Sequence, residues 1–235
     1  MEEDALLASF SIVRVDCEGR VLPSPAAFLS LLRTHKAIAV LRVADLELAL
    51  CLATAAAAGG IRLIEITWNS QAPGEILALL RQRLPDCHIG AGTLLCPADL
   101  EQAVRAGAQF GFAPHSDPTM IAWAQQRRWP FVPGALTPSE IVAAWQGGAS
   151  AVKLFPITAV GGAEYLRSLQ GPLATIPLVP TGGVTLENAP GLLQAGALAV
   201  GLSTDLFPRV AIAQADWAAI TTRAQALVHS LGAQA

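Results

Sequence analysis

The feature that most limits what this chain can become is an alternation repeated along nearly its whole length. Short runs rich in β-branched and aromatic residues alternate with Ala/Leu-rich segments of helical period. Strand candidates lie at 37–41, 61–67, 88–90, 109–112, 131–132, 151–155, 178–179 and 197–201. Helical periodicity covers 45–58, 74–83, 97–106, 118–127, 138–145, 164–169, 186–194 and 213–231. A helix between two strands carries the chain back to the starting end, so successive strands run parallel. Eight such units, at roughly 20–25 residues each, match the count and length of a (β/α)8 TIM barrel.

The punctuation agrees with that period. Glycines in "AGG" (58–60), "AGA" (106–108), "GGA" (147–149) and "AGA" (195–197) close helices just before strands, where glycine takes a left-handed conformation without a Cβ penalty. "CPAD", "SDPT", "LTPSE" and "VTLEN" open helices with a capping side chain and, in three of them, a first-turn proline. Residues 25–35 form one more helix candidate, ahead of the first strand. We expect a single domain over 1–235: an N-terminal extension and capping helix over 1–36, with a strand-like piece before the helix, then the barrel over 37–231.

Composition narrows the function. Apolar residues make up 53% of the 235 and charged residues 14%, a balance suited to strands buried on both faces. The formal charge of -3 gives no reason to expect nucleic acid or an anionic membrane as partner. An anionic substrate would need a locally positive site. Cys17, Cys51, Cys87 and Cys96 show no CxxC spacing and read as reduced structural thiols of a cytoplasmic protein. The acidic start "MEEDALLASF" lacks the basic region of a signal peptide. No apolar run reaches the ~18 residues of a membrane helix.

The most informative count is lysine. Of 15 basic residues only Lys36 and Lys153 are lysines. Lys153 stands in "SAVKLFP" (150–156), an apolar strand candidate. Alternate side chains of a barrel strand point inward, so Ala151, Lys153 and Phe155 share the inner face, near the strand's C-terminal end where sites of this fold gather. Burial favours the neutral amine, which adds to carbonyls and forms a Schiff base. The bland alternative is a structural lysine paired with a carboxylate. In "IRLIEITWNS" (61–70), Leu63, Glu65 and Thr67 share a face, which sends Glu65 inward as well. A carboxyl beside an imine can move the protons of its formation and of the enamine. A salt bridge to Lys153 or Arg42 is the structural alternative. Arg42, ending "AVLR", suits a substrate carboxylate through its planar fork. Thr93 in "GAGT" offers a polar contact, or else a cap for the next helix, and Gly90 and Gly92 would let backbone approach a ligand.

"PTGGV" (180–184) and "VGLSTDLF" (200–207) follow the last two strands. Paired loops there make the phosphate site common in such barrels, built from backbone amides and a helix N-terminus. Gly182, Gly183, Gly201 and Ser203 are the candidates. His115 is a weaker candidate at the barrel mouth. His35, His88 and His229 form no metal-ligand spacing.

Taken together, "IEIT", "GAGT", "FAPH", "VPGALTPSE", "VKLFP", "PTGGV" and the Ser203 loop cover about 37–207 in order. This set resembles the KDPG/KHG aldolase family of class I pyruvate aldolases. The resemblance implies a homotrimer acting on pyruvate and a phosphorylated 2-keto-3-deoxy sugar acid, with no metal or organic cofactor. It implies Lys153 as the Schiff-base lysine and Glu65 as the acid/base. Substrate contacts would come from Asn69, Thr93, Pro114 and Phe155, and phosphate contacts from the two loops. One position departs from the pattern. Many members carry an arginine four residues after the glutamate, where Asn69 stands here. Asn69 is similar instead to the galactonate series, in which an arginine matching Arg42 serves the carboxylate. Cleavage of 2-keto-3-deoxy-6-phosphogluconate is the expected reaction. The galacto epimer, 4-hydroxy-2-oxoglutarate and decarboxylation of oxaloacetate follow from the same enamine. An isomerase or synthase barrel, or an idle barrel that binds sugar phosphate, would lack covalent chemistry at Lys153.

Overall fold

The computed structural model describes residues 22–233; the strand-like piece expected in the extension lies outside them, as does Cys17. Helix α1 (Pro25–His35) precedes β1 (Ala37–Leu41). The alternation then runs α2 (Leu46–Ala58), β2 (Leu63–Thr67), α3 (Pro73–Arg83), β3 (His88–Gly92), α4 (Pro97–Arg105), β4 (Gly111–Phe112) and α5 (Pro118–Gln126). It continues through β5 (Phe131–Val132), β6 (Gly134–Ala135), α6 (Pro138–Gln146), β7 (Val152–Leu154), a 3-10 turn (Ile157–Val160) and α7 (Ala163–Leu173). The last elements are β8 (Leu178–Pro180), α8 (Ala189–Gln194), β9 (Val200–Leu202), α9 (Arg209–Ala213) and α10 (Trp217–Ser230).

All strands pair in parallel, in a curled sheet of two pieces, ordered β5-β4-β3-β2-β1-β9 and β6-β7-β8. The expected single closed ladder is therefore met only in part, and proline sits at both seams. Pro133 separates β5 from β6 and has no amide to donate. Its carbonyl still accepts from the Lys153 amide at 2.9 Å. At the other seam, β8 and β9 are joined by the Leu198 amide to the Leu178 carbonyl at 2.8 Å and by a single Thr181–Gly201 bridge. Pro180, between these links, again lacks an amide.

The helix starts follow their caps. Asp45 accepts from the Leu48 amide at 2.7 Å, Asp117 from Thr119 at 2.7 Å, and Thr137 and Glu140 form a reciprocal capping box. Some bounds differ from expectation. The segment from 213 to 231 divides into α9 and α10, because Ala215 turns left-handed at φ 51° and Asp216 caps a new helix through Ala219 at 2.9 Å. The expected start at 186 is delayed to Ala189, since Thr185 and Asn188 bond each other in a local turn. α7 runs past the expected end at 169 to Leu173, with Pro172 in its last turn.

Two apolar clusters result. The larger lies between sheet and helices and takes the outward strand residues, among them Ile64, Ile66, Val152 and Leu154. The smaller fills the sheet interior at its N-terminal end, with Ile38, Leu63, Phe110, Phe112, Val132, Ala151 and Val179. Helix α1 plugs that end, as expected of a capping helix ahead of the first strand. Phe28 and Leu32 are fully buried, and Phe28 stacks on Phe110 with centroids 4.8 Å apart. Burying such a ring contributes about 1.5–3 kcal/mol. Lys36 follows the plug and ties down the far end of the chain, donating to the Leu231 carbonyl at 3.0 Å and to Gly232 at 3.1 Å. Among the described residues no helix is long and apolar enough to cross a membrane, and Cys51, Cys87 and Cys96 are free thiols.

Candidate active site

Strand alternation sorts the interior into levels. Leu63, Ala151, Ile38 and Val179 belong to the apolar floor. Two residues further along the same strands, Glu65, Lys153, Val40 and Thr181 line a cavity of about 260 Å3. Arg42, Thr67, Thr93 and Phe155 stand at its upper level, and Pro114 closes one side. The cavity opens at the C-terminal ends of the strands, as the period-two reading required.

Glu65 is 1% exposed, and neither carboxylate oxygen has a hydrogen-bond partner. An unpaired carboxyl in that position is costly to ionise. Burial accordingly pushes its pKa above the ordinary range, while the charges of Lys153 and Arg42 pull it back down. The slot that holds it is cut by glycine. Glu65 lies beside Gly90 and Thr67 beside Gly92 across the β2–β3 pairing, and a Cβ on Gly92 would overlap the Glu65 carboxylate. A Cβ on Gly90 would strike the Phe110 ring. The two glycines thus make room for protein side chains, where the sequence suggested room for ligand backbone contacts.

Lys153 is 7% exposed and faces the interior, with Gly134 and Val179 as its strand neighbours. Its Nζ lies 5.1 Å from the Phe155 ring centroid and 5.8 Å from that of Phe112. No hydrogen bond joins it to Glu65, and the two act on each other through charge alone. Two ionisable groups face one small cavity with their functional atoms unspent.

Around them stand the other candidates. Arg42 borders the cavity close enough to influence Glu65. Thr93 lines it from a left-handed backbone, φ 57°, a conformation that is uncommon for a non-glycine residue and recurs at functional sites. Thr93 does not cap α4. The Asp99 carboxylate accepts from the Leu95 and Cys96 amides at 2.7 and 3.2 Å and does that work. Asn69 is different: it is exposed and is not part of the cavity wall. His115 also stays out of the wall, two residues before Asp117, whose carboxylate accepts from the Thr119 and Met120 amides.

At the other end, Gly182, Gly183, Gly201, Ser203 and Thr204 complete the wall. Gly182 and Gly183 have φ of 82° and 81°, a region that side chains with a Cβ rarely adopt. Their carbonyls are drawn away from the cavity. That of Gly182 accepts from Thr158 Oγ1 at 3.1 Å and that of Gly183 from Asn188 Nδ2 at 3.0 Å. The amides of Gly182, Gly183 and Val184 donate no hydrogen bond within the described residues. Such a row of free N–H groups suits an anion. No regular helix begins at Ser203: turns follow it and α9 opens at Arg209.

The KDPG and KHG aldolase profile matches residues 29–223. The chain belongs to the KDPG/KHG aldolase family. It is 34% identical over 192 residues to 2-dehydro-3-deoxy-phosphogluconate aldolase of Dickeya dadantii, covering 81% of this chain and 90% of that one. It is 32% identical over 201 residues to KHG/KDPG aldolase of Escherichia coli strain K12, covering 85% and 94%. A crystal structure of KDPG aldolase from Legionella pneumophila, holding pyruvate as a covalent carbinolamine captured at low pH, superposes with TM-score 0.80 and 31% identity over 87% of this chain and 98% of that one.

Two hydroxyls of this family member's cavity were not among the site candidates, although the alternation puts Thr67 on the face of Glu65. Thr67 lines it, 3.2 Å from Ser70 Oγ. Thr181 lines it with a buried Oγ1 that has no partner. The signal was present in both cases: each stands two residues after an inward-facing position, Glu65 and Val179.

Proposed function

We propose that this chain is a class I aldolase that reversibly cleaves 2-keto-3-deoxy-6-phosphogluconate to pyruvate and glyceraldehyde 3-phosphate. The observation that carries the reading is the buried Lys153–Glu65 pair, facing one cavity without a hydrogen bond between them. Lys153, as its uncharged amine, adds to the C2 carbonyl, and the new oxygen takes up a proton to give the carbinolamine. Loss of water leaves the iminium. Removal of the C4 hydroxyl proton then lets the C3–C4 bond break, and its electrons pass into the iminium as an enamine. Protonation at C3 and hydrolysis release pyruvate and restore the amine. Glu65 exchanges these protons, directly or through a water. A carboxyl whose pKa is raised by burial can donate as well as accept a proton. Arg42 binds the pyruvate carboxylate. Thr93, Pro114 and Phe155 enclose the substrate, and the Gly182–Gly183 amides with Gly201 and Ser203 bind the phosphate. No cofactor takes part.

We also read the two pieces of sheet as one (β/α)8 barrel, with β5 and β6 as a single strand interrupted at Pro133. The chain is taken as one domain, 1–36 being extension and capping helix, in a homotrimeric cytoplasmic enzyme. Light scattering at three times the chain mass checks the assembly. A second reading draws on one observation. Arg42 borders the cavity while Asn69 stands outside it, the pattern of the galactonate series, so 2-keto-3-deoxy-6-phosphogalactonate is the alternative substrate.

Borohydride reduction in the presence of pyruvate tests the chemistry. Intact mass should show one pyruvate-derived adduct on Lys153, absent in Lys153→Ala. An unmodified wild-type protein would end the proposal. Initial rates on the gluco and galacto substrates then decide between the two readings.

A further inference from the structure

The anion end of the cavity is made by two loops, one after β8 that carries Gly182 and Gly183 and one after β9 that begins at Ser203. Glycine-rich backbone has many conformations to choose from. A row of free amides binds an anion well only when it is fixed before the ligand arrives. The Asn188 bond orients the Gly183 peptide within its own loop, and the Thr158 bond ties the Gly182 peptide to the turn after β7. Asp205 does something else: it connects the loop after β8 to the loop after β9. Its Oδ2 accepts from the Leu186 amide, three residues after Gly183, at 2.9 Å. The same oxygen accepts from Arg223 Nη2 at 3.0 Å, and Arg223 Nε donates to the Asp205 carbonyl at 2.8 Å. Arg223 projects from α10, so one guanidinium grips both the backbone and the side chain of the residue two places after Ser203. Neither Asp205 nor Arg223 lines the cavity.

We propose that Asp205 and Arg223 are positioning residues for the anion site, holding the Gly182–Gly183 amides and Ser203 at the separation that a substrate phosphate spans. The inference rests on the phosphate reading given above. The pairing also settles an electrostatic problem. A lone carboxylate near an anion site would repel the ligand, and the Arg223 charge offsets it. Charge-assisted bonds of this kind are the stronger ones available to a partly exposed loop. The catalytic pair stands on β2 and β7, outside both loops, so loosening the clamp leaves the amine chemistry in place.

The test separates the two ends of the cavity. KM and kcat are measured on a 2-keto-3-deoxy sugar acid with and without its phosphate. Inorganic phosphate serves as a competitive inhibitor, and exchange of pyruvate methyl protons into deuterium oxide reports the Lys153 half alone. Asp205→Ala should raise KM for the phosphorylated substrate and Ki for inorganic phosphate by about tenfold, the loss of a charge-assisted contact. Its kcat and its pyruvate exchange should stay within about twofold. Asp205→Asn keeps an acceptor for the Leu186 amide and should recover most of the loss. Arg223→Gln, which cuts the clamp from the helix side, should reproduce the alanine effect and serves in its place if that variant does not fold. Equal KM increases on both substrates, or an unchanged Ki for phosphate in a folded variant, would overturn the proposal. A wild-type protein that ignores both inorganic phosphate and the substrate phosphate, yet still exchanges pyruvate protons, would instead remove the phosphate reading itself.

Discussion

The two ends of the cavity are built by different means. One end consists of side chains on strands: Glu65 and Lys153 stand at defined positions of β2 and β7, and parallel pairing fixes their height and direction. The other consists of backbone amides on loops, where Gly182 and Gly183 adopt φ values of 82° and 81° and outside residues supply the order. Strand register is rigid because a slip of one residue would send every side chain to the opposite face. Loops have no such restraint and need bracing. Chemistry that demands a reactive amine therefore sits on strands, and recognition of a diffuse charge can sit on loops.

The most severe test of that division is Lys153→Ala. Without a nucleophile the expected loss of cleavage is at least ~10^4-fold, while inorganic phosphate should still protect the variant from thermal unfolding. Loss of both functions would mean the two ends are not independent.

Glu65→Gln comes next. Proton transfer by a positioned carboxyl contributes ~10^2–10^4-fold, and kcat should fall by that range. Stability should move the other way. Burial raises the Glu65 pKa, so below the ordinary glutamate value of about 4.3 the carboxyl is protonated in both the folded and unfolded states and costs nothing. As pH climbs to the raised folded value, the unfolded state ionises first and folding stability is lost. The amide variant avoids that loss. Its Tm should exceed wild type by roughly 2–4 °C at pH 8 for each kcal/mol recovered, with the advantage gone near pH 4. A lower Tm at pH 8 would show that the carboxylate is better solvated than its burial indicates.

Gly92→Ala sharpens the strand end from the side. The added Cβ would displace the Glu65 carboxylate. We expect kcat to fall ~10–100-fold with KM for the phosphorylated substrate nearly unchanged, since a small misplacement of a catalytic group costs about that much. Removing Arg42 should raise KM for pyruvate. It should also shift the acid limb of kcat/KM to higher pH, because one of the two charges lowering the Glu65 pKa is gone. A limb that stays in place would detach Arg42 from Glu65. The mildest change is Asn69→Ala. An exposed residue outside the wall should alter KM by less than about twofold, and a larger effect would require Asn69 to turn inward when substrate binds.

Much of the strand end was legible before any coordinates. Alternation on β2 and β7 placed Glu65 and Lys153 inside, and the structure packs the intervening Ile64, Ile66, Val152 and Leu154 against the helices. Thr67 and Thr181 follow from the same rule applied two residues further. The loop end was legible only as composition. "PTGGV" and "GLS" marked an anion site, but Thr158 and Asp205 bear on it from other loops, at sequence separations that carry no periodic signal, and only Asn188 stands close by, five residues after Gly183. Asn69 was misjudged because position relative to Glu65 in sequence does not say where the strand ends and the chain turns outward.

By itself, the sequence determined the parallel α/β alternation, the capping helix ahead of the first strand, and the inward direction of the reactive pair. Each of these follows from local periodicity and the free energy of burying apolar surface. Tertiary structure alone decided that Gly92 is hollowed out for a carboxylate and that prolines at the two seams divide the sheet. It also decided that an aspartate and an arginine from distant segments brace the anion loops. Those outcomes depend on which backbone lies against which side chain, and no window of neighbouring residues contains that information.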